Sequence, residues 1–243
     1  MNNPQILREI TIIVPAFHEQ ENIEAAIQSV IGALQGIVDD YEIIVFDDGS
    51  SDETYLRAQA QAQKNVKIKV IQNEKNQGYG YCYRKGVMLA TKSYVSVFPG
   101  DNDMAQEGLR DIVKNIGQAD VVYSYPLNHD RRGLMRTILS KAFVAMINAI
   151  AGLNARYYTG GFACKTDLVR SLSLETNGLA IGAECLVKLL RSGHSFKEIA
   201  LEHIGRKHGA SKALTWNSFC SVVKTIAIVF KVSYGPKRQD VRR

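Results

Sequence analysis

Short apolar runs alternate with helically spaced apolar residues along the first 125 residues of the chain. The apolar runs predict strands at residues 10–14, 41–46, 66–71, 94–98 and 119–123. The helical periodicities predict helices at residues 22–34, about 52–63, 78–90 and 106–116. The 66–71 run alternates apolar residues with lysine, which predicts a position near a sheet edge. The 94–98 run is predicted to be a buried, central strand. This alternation predicts an α/β fold with a mostly parallel sheet and helices on both faces.

The pattern changes after residue 125. An amphipathic helix is predicted at 134–150, a short helix at 183–190, a last strand at 196–201 and a second amphipathic helix at 214–232. The stretch 157–162 contains Gly160 and Gly161 and predicts a strand edge that another group approaches closely. We expect one domain over residues 1–213, followed by an amphipathic helix and basic tail at 214–243.

Polar residues follow three of the predicted strands. They are Phe17-His18-Glu19, Asp47-Asp48-Gly49 and Asp101-Asn102-Asp103. In parallel sheets, ligands lie at the carboxyl ends of the strands. Alone, each loop could be a solvated turn, because Asp and Asn are common turn residues. Convergence of the three loops instead favours a binding site, and one or two carboxylates with substrate phosphates suffice for Mg²⁺.

Composition narrows the classes of partner. The chain has 243 residues, of which 46% are apolar, and a net charge of +6, which permits an anionic partner. It lacks the dense basic and aromatic pattern of nucleic-acid modules, so we expect no nucleic-acid partner. Met1–Glu9 does not resemble a signal peptide, and there is no run of about 18 apolar residues. We therefore expect a cytoplasmic protein, peripheral on the cytoplasmic face of a membrane.

Two further patterns in the sequence do not indicate a functional site. The four cysteines, Cys82, Cys164, Cys185 and Cys220, lack metal-ligand spacing and lie among apolar residues, which predicts buried reduced thiols. Gly78-Tyr79-Gly80 is not a dinucleotide fingerprint, because the third glycine would fall at Tyr83 and the element does not follow the first strand.

Taken together, the motifs resemble those of the inverting family 2 glycosyltransferases, and most closely the dolichol- or polyprenyl-phosphate mannose synthases and their bacterial relatives. The matching stretches, in the family's order, are Val14–Ile23, Asp47–Asp52, Gly78–Gly80, Asp101–Asp103, Thr159–Phe162, Glu184 and Arg206–Lys212. The resemblance implies a single GT-A, Rossmann-like domain that takes a sugar from a GDP- or UDP-linked donor with Mg²⁺ or Mn²⁺.

The resemblance also implies roles for individual residues. Asp103 would bind the metal that bridges the donor diphosphate, and Asp101 would lie beside the donor. Arg206 would neutralise the diphosphate as it leaves. The other residues expected to bind the nucleotide sugar are Pro15, Phe17, Glu19 on the ribose, Asp47, Asp48 toward the base, Gly78, Asn102 and Lys212. If the Asp101–Asp103 segment is extended, alternate side chains point the same way and both carboxylates can face the donor.

The acceptor is implied by a second group of residues. Arg136 and Ser140, four apart on the 134–150 helix, would hold an acceptor phosphate, and Ser211 would belong to a loop that closes over the site. A phosphate acceptor needs positioning rather than a base. A hydroxyl acceptor in a glycan or small molecule would need one, and Glu184 is the candidate; its alternative role is a carboxylate at a helix N-terminus.

The chain departs from the mannose synthases at several positions. Tyr123–Pro126 lacks their arginine, Tyr157 and Ala163 replace an acidic residue and an arginine, and Ala105 stands where a glutamine is expected, leaving Gln106 as a substitute. The sugar, the acceptor and the oligomeric state therefore stay open. A non-catalytic nucleotide-binding protein and, more weakly, a nucleotidyltransferase are the remaining alternatives.

Overall fold

The computed structural model describes residues 8–127, 134–201 and 216–234, except for the side chains of 134–136 and 216–222. Its strands are β1 (Glu9–Ala16), β2 (Asp40–Asp47), β3 (Ile68–Gln72), β4 (Tyr94–Val97), β5 (Val121–Pro126), β6 (Phe162–Lys165) and β7 (Phe196–Leu201). Its helices are α1 (Ile23–Leu34), α2 (Thr54–Lys64), α3 (Tyr79–Leu89), α4 (Gln106–Lys114), α5 (Leu134–Ala151), α6 (Thr166–Arg170), α7 (Ile181–Arg191) and α8 (Trp216–Tyr234).

The strands form one sheet in the order β3-β2-β1-β4-β6-β5-β7. All neighbouring strands are parallel except β6, which runs antiparallel to both β4 and β5. The predicted fold class is therefore confirmed, as are the edge position of β3 and the central position of β4.

Helices cover both faces of this sheet because its inner strands are apolar on both sides. Along β1, Ile13 packs into one buried cluster, whereas Ile12 and Val14 pack into the cluster on the opposite face. This alternation follows from the period of two along a strand. Packing on both faces thus fixes the orientation of β1, whose carboxyl end lies at the polar edge of the sheet.

The predicted strand edge at 157–162 is wrong in its bounds. Strand β6 begins only at Phe162, and Gly160 precedes it in a bend against β5. The close approach expected there is confirmed: a Cβ on Gly160 would lie 2.0 Å from the carbonyl oxygen of Ser124. The backbone N–H of Ser124 also donates to the carbonyl of Gly161 at 2.8 Å. The short helix α6 was not predicted.

The three described cysteine side chains, Cys82, Cys164 and Cys185, are buried free thiols, as predicted. Burial, followed by the nearby charge of Asp48, raises the pKa of Cys82 to about 12. The thiol therefore stays protonated at neutral pH. The side chain of Cys220 lies outside the described residues.

Candidate active site

The carboxyl ends of β1, β2 and β4 meet at one edge of the sheet. The backbone N–H of Asp48 donates to the carbonyl of Ala16 at 2.8 Å, and that of Gly100 donates to the carbonyl of Pro15 at 3.1 Å. A Cβ on Gly100 would lie 2.7 Å from the Pro15 oxygen, so only glycine permits this approach. The structure thus brings together the three polar loops predicted to converge.

The loop after β1 is anchored to the loop after β2. The backbone N–H of His18 donates to Ser50 Oγ at 3.0 Å, and that of Glu19 donates to Thr54 Oγ1 at 2.9 Å. His18 has a φ of 55°, a left-handed conformation that is uncommon outside glycine. The side chain of Glu19 accepts a hydrogen bond from Asn22 Nδ2 at 2.8 Å. The loop that carries Phe17 and Glu19 is therefore held at a fixed position on the edge.

Asp47 and Asp48 are buried, and both accept hydrogen bonds from neighbouring segments of the chain. Asp48 accepts hydrogen bonds from Asn73 Nδ2 at 2.8 Å and from the backbone N–H groups of Gln77 at 2.9 Å and Gly78 at 2.8 Å. Asp47 accepts from Gln72 Nε2 at 3.0 Å. Asp47 also accepts a hydrogen bond from the backbone N–H of Ser50 at 3.3 Å, so it supports its own loop. The hydrogen bond from a base to Asp48 stays a prediction.

An open cleft of about 290 Å³ lies beside these two aspartates. It is lined by Gly49, Ser50, Gln72, Asn73 and Glu74, at the carboxyl ends of β2 and β3. Its place next to the buried Asp48 makes it the candidate pocket for a nucleoside. Most of its lining is polar, which suits a base and ribose better than an apolar ligand.

The Asp101–Asp103 segment is a turn, so the assumption of an extended segment is wrong. Asn102 has a φ of 54°, and the backbone N–H of Asp103 donates to Asp101 Oδ1 at 3.0 Å. Asp101 therefore stabilises the turn that presents Asp103, and its place beside the donor stays a prediction. The three residues are half-buried. Burial, and after it the charge of Asp101, raises the pKa of Tyr79, the first residue of α3.

The donor set at this turn suits a divalent cation that shares its coordination with phosphate. Among the described residues no group of three or more His, Cys, Asp or Glu side chains could hold a metal. Mg²⁺ and Mn²⁺ do not need one when a diphosphate supplies oxygen ligands. The Asp101 and Asp103 carboxylates therefore fit such an ion. Gln106 does not extend the set, because its amide packs on α1, where a Cβ on Gly32 would lie 2.7 Å from Gln106 Oε1.

Glu184, on the first turn of α7, is buried, and both of its carboxylate oxygens accept hydrogen bonds. It accepts hydrogen bonds from the backbone N–H groups of Glu175 at 2.9 Å and Thr176 at 2.8 Å, and from Lys188 Nζ at 2.6 Å. Burial alone would raise the pKa of Glu184, but these donors outweigh burial and hold the pKa below its usual value. A carboxylate so stabilised is a poor base, which favours the structural alternative stated above.

Comparison with known proteins identifies the family. The family model described as glycosyl transferase family 2 matches residues 11–172, which contain all three polar loops. The chain belongs to glycosyltransferase family 2. Its sheet and helices are those of the GT-A fold, and it is a glycosyltransferase.

Among curated relatives, the enzyme resembles a dodecaprenyl-phosphate galacturonate synthase of Rhizobium johnstonii, with 21% identity over 96% of this chain and 70% of the relative. It also resembles a dolichol-phosphate mannosyltransferase of Pyrococcus furiosus, with 27% identity over 74% of this chain and 53% of the relative. The matches span 53% to 70% of the lengths of these relatives. The glycosyltransferase thus matches only part of each relative.

Among solved structures, the glycosyltransferase superposes on glucosyl-3-phosphoglycerate synthase of Mycobacterium tuberculosis. The complex of that protein with Mn²⁺, UDP and phosphoglyceric acid gives a TM-score of 0.71 at 22% identity, over 95% of this chain and 80% of the other. Its complex with Mg²⁺ and UDP gives a TM-score of 0.70. This likeness establishes the shared fold.

The remaining predicted site residues of the glycosyltransferase are only partly described. Ser140 lies half-buried on α5, but the side chain of Arg136 falls outside the described residues. Arg206, Ser211 and Lys212 fall outside them entirely. Their roles stay predictions.

Three residues of the site were not singled out from the sequence. Asn73 binds Asp48, Lys188 binds Glu184, and Arg84 on α3 donates to the carbonyl of Thr176. The spacing of Glu184 and Lys188, four apart on a predicted helix, is a signal that could have revealed that pair. Asn73 and Arg84 gave no such signal, because their partners are distant in sequence.

Proposed function

We propose that this glycosyltransferase moves a sugar, with inversion, from a GDP- or UDP-linked donor to a polyprenyl phosphate at a membrane surface. The observation that carries the proposal is the exposed apolar surface of α5, the helix on which Arg136 and Ser140 lie. Its exposed residues are Ile138, Leu139, Lys141, Ala142, Ala145, Met146 and Ala149. All of them except Lys141 are apolar. An enzyme that uses a lipid phosphate has to contact the membrane that holds it, and an exposed apolar helix face suits that contact.

Helix α8 supports the same proposal. It packs against α5 and exposes an apolar stripe at helical spacing, made of Val223, Ala227, Phe230 and Tyr234. Lys224 and Lys231 are exposed on the same helix. Apolar residues with neighbouring lysines are typical of helices that lie in the plane of an anionic membrane surface. Among the residues that the structure describes, no helix is long and apolar enough to cross a membrane.

The proposed chemistry uses the residues at the sheet edge. An oxygen of the acceptor phosphate attacks the anomeric carbon, and the bond from that carbon to the β-phosphate oxygen breaks on the opposite face, so that the nucleoside diphosphate leaves. Mg²⁺ or Mn²⁺, held by Asp103 on the turn that Asp101 stabilises, would supply positive charge to the leaving diphosphate. Arg206 would add to that charge. Pro15, Phe17 and Glu19 would hold the nucleoside beside Asp48.

A phosphate acceptor suits this site better than a hydroxyl acceptor. A phosphate is already ionised at neutral pH, so the enzyme needs to position it but not to deprotonate it. A hydroxyl acceptor requires a general base within hydrogen-bond reach. Glu184, the candidate base, already accepts hydrogen bonds from two backbone N–H groups and Lys188. The curated relatives named for polyprenyl-phosphate and dolichol-phosphate products favour the same acceptor class.

The test is direct transfer. Purified protein with Mn²⁺, vesicles that contain undecaprenyl phosphate, and a panel of UDP- and GDP-sugars labelled in the sugar should give a labelled lipid in the organic extract. Undecaprenol, which lacks the phosphate, should give no labelled lipid, and neither should samples treated with a chelator. Donor binding without any labelled lipid, or equal transfer to undecaprenol, would contradict the acceptor assignment.

Vesicle binding should depend on the α8 stripe. We expect Phe230→Glu to weaken binding to anionic vesicles at least about tenfold, because burying a phenylalanine contributes roughly 1.5–3 kcal/mol. Flotation with anionic and zwitterionic vesicles measures this. Leu56→Glu is the matched control, since Leu56 is an exposed residue of α2, 66% accessible, away from α5 and α8. Equal loss of binding in both variants would contradict a membrane surface on α8.

A further inference from the structure

The first turn of α3 is interlocked with the loop before α7. The backbone N–H of Gly80 donates to the carbonyl of Asn177 at 2.7 Å. A Cβ on Gly80 would lie 2.3 Å from the Thr176 oxygen, and one on Gly78 would lie 2.5 Å from the Asn177 oxygen. Gly78 also has a φ of 96°, which a side chain would strain. Both glycines are therefore required so that the loop can lie directly on α3.

Arg84 strengthens the same contact from the side of α3. Its guanidinium donates to the carbonyl of Thr176 and, at 2.5 Å, to Asn177 Oδ1. Two planar N–H groups on one loop fix its orientation as well as its distance. The loop and the first turn of α3 therefore form one unit.

Glu184 and Lys188 hold the other side of this loop. Glu184 binds the N–H groups of Glu175 and Thr176, and Lys188 donates to the carbonyl of Ser173 at 2.5 Å. The side chain of Glu184 is 0% exposed and that of Lys188 is 14% exposed. A buried ion pair with further hydrogen bonds fixes geometry strongly, because removal of either partner leaves an uncompensated buried charge.

The first turn of α3 is thus held between two buried carboxylates. Asp48, beside the candidate nucleoside pocket, binds the N–H groups of Gln77 and Gly78. Glu184 holds the loop that binds Gly80. Tyr79 lies between these two attachments in the chain. A shift of the loop would therefore move Gly78 and Gly80, and through the N–H of Gly78 it would disturb Asp48 beside the candidate nucleoside pocket.

We propose that Glu184 is a positioning residue of the donor site, which acts through the Glu175–Asn177 loop on Gly78–Gly80 at the start of α3. The inference rests on the proposed use of a nucleotide-sugar donor. It assigns Glu184 to donor affinity and not to proton transfer. Glutamine at this position keeps the shape but has one acceptor oxygen instead of two, so its amide would face N–H donors that it cannot satisfy.

Calorimetric titration with UDP and GDP in the presence of Mn²⁺ tests the proposal. We expect Glu184→Gln to raise the Kd of the nucleotide that the wild-type protein binds about tenfold, as the loss of a charged, buried acceptor predicts. The kcat at saturating donor should stay within about threefold of the wild-type value, because no proton is transferred. A fall in kcat of about a hundredfold with an unchanged Kd would instead establish a base and overturn the proposal.

Glu42→Gln is the matched control. Glu42 is also a buried carboxylate, bonded to Thr11, Thr91 and Lys69. It lies five residues before Asp47 in β2, roughly 16 Å away at about 3.3 Å per residue. We expect this variant to lose stability with an unchanged nucleotide Kd. An equal rise in Kd in both variants would mean that any buried defect weakens binding and would overturn the proposal.

Two further variants separate positioning from stability. Glu184→Gln combined with Lys188→Met leaves no unpaired buried ammonium, so it should recover thermal stability but keep the raised Kd. If Glu184→Gln does not fold, Arg84→Met breaks the same unit at a half-buried residue and should raise the Kd severalfold. An unchanged Kd in a folded Glu184→Gln or Arg84→Met variant would overturn this proposal but not the proposed function. Absence of UDP and GDP binding by the wild-type protein overturns the proposed function as well.

Discussion

Asp103→Asn is expected to reduce sugar transfer at least about a hundredfold. The substitution removes the negative charge of the carboxylate that is proposed to hold the metal ion. A bound metal ion supplies several kcal/mol of stabilisation to a leaving diphosphate. Each loss of about 1.4 kcal/mol corresponds to a tenfold lower rate. The fold is expected to survive the change, because asparagine keeps the shape of the side chain and the backbone N–H of Asp103, which helps to form the turn, is unchanged. Initial rates of lipid-linked product at saturating Mn²⁺ measure the effect.

A binding measurement shows whether the loss lies at the metal. Titration of Asp103→Asn with UDP or GDP should give the same weak affinity with and without Mn²⁺, whereas the wild-type protein should bind more tightly with the ion. Asp111→Asn is the control, because Asp111 is an exposed carboxylate of α4 that pairs with Lys114. Unchanged turnover in Asp103→Asn would contradict the metal role of Asp103, whereas nucleotide binding without any turnover by the wild-type protein would support the alternative of a non-catalytic nucleotide-binding protein.

Asp101→Asn separates the two carboxylates of the turn. Its side chain keeps an oxygen that can accept the hydrogen bond of the Asp103 N–H, as Asp101 Oδ1 does. If Asp101 acts through the turn, this variant retains much more activity than Asp103→Asn. The comparison therefore tests the unequal roles that the geometry gives to the two residues.

The sequence predicted the parts of the fold that depend on local pattern. Strands β1, β2 and β4 are apolar runs that end at polar loops, so both their type and their shared edge followed from alternation with helices. The bounds of strand β6 were predicted wrongly because its four residues pair with β4 and β5, which lie far away in the chain. A strand this short has no period of its own to detect.

The candidate site shows the same division. The carboxylates at the strand ends were identifiable from their positions, but their hydrogen-bond partners were not. Asp48 binds Asn73 and Gln77, which a different loop brings to it. The left-handed conformation of Asn102 also has no signal in the sequence, since asparagine adopts it only in some turns. Roles that depend on such contacts, including that of Glu184, required the three-dimensional structure.

Gly160→Ala is expected to cost more stability than any other glycine-to-alanine change near the site. Its new Cβ would lie 2.0 Å from the carbonyl oxygen of Ser124 and 2.8 Å from its Oγ. Neither β5 nor the bend before β6 can yield without losing the hydrogen bonds from Ser124 to the Gly161 carbonyl. Overpacking of this kind typically costs about 1–3 kcal/mol, and the lost hydrogen bonds add roughly 1 kcal/mol each.

Thermal unfolding of Gly160→Ala beside Gly182→Ala provides the measurement and its control. Gly182 lies in α7, where a Cβ would be 3.5 Å from its nearest neighbouring atom, Phe162 Cε1, so alanine fits there. Replacement of a glycine within a helix by alanine should stabilise it by roughly 0.5–1 kcal/mol. We therefore expect a lower Tm for Gly160→Ala and an equal or higher Tm for Gly182→Ala. Equal Tm values would contradict the close contact between Gly160 and β5, and with it the packing that joins the Thr159–Phe162 motif to the sheet.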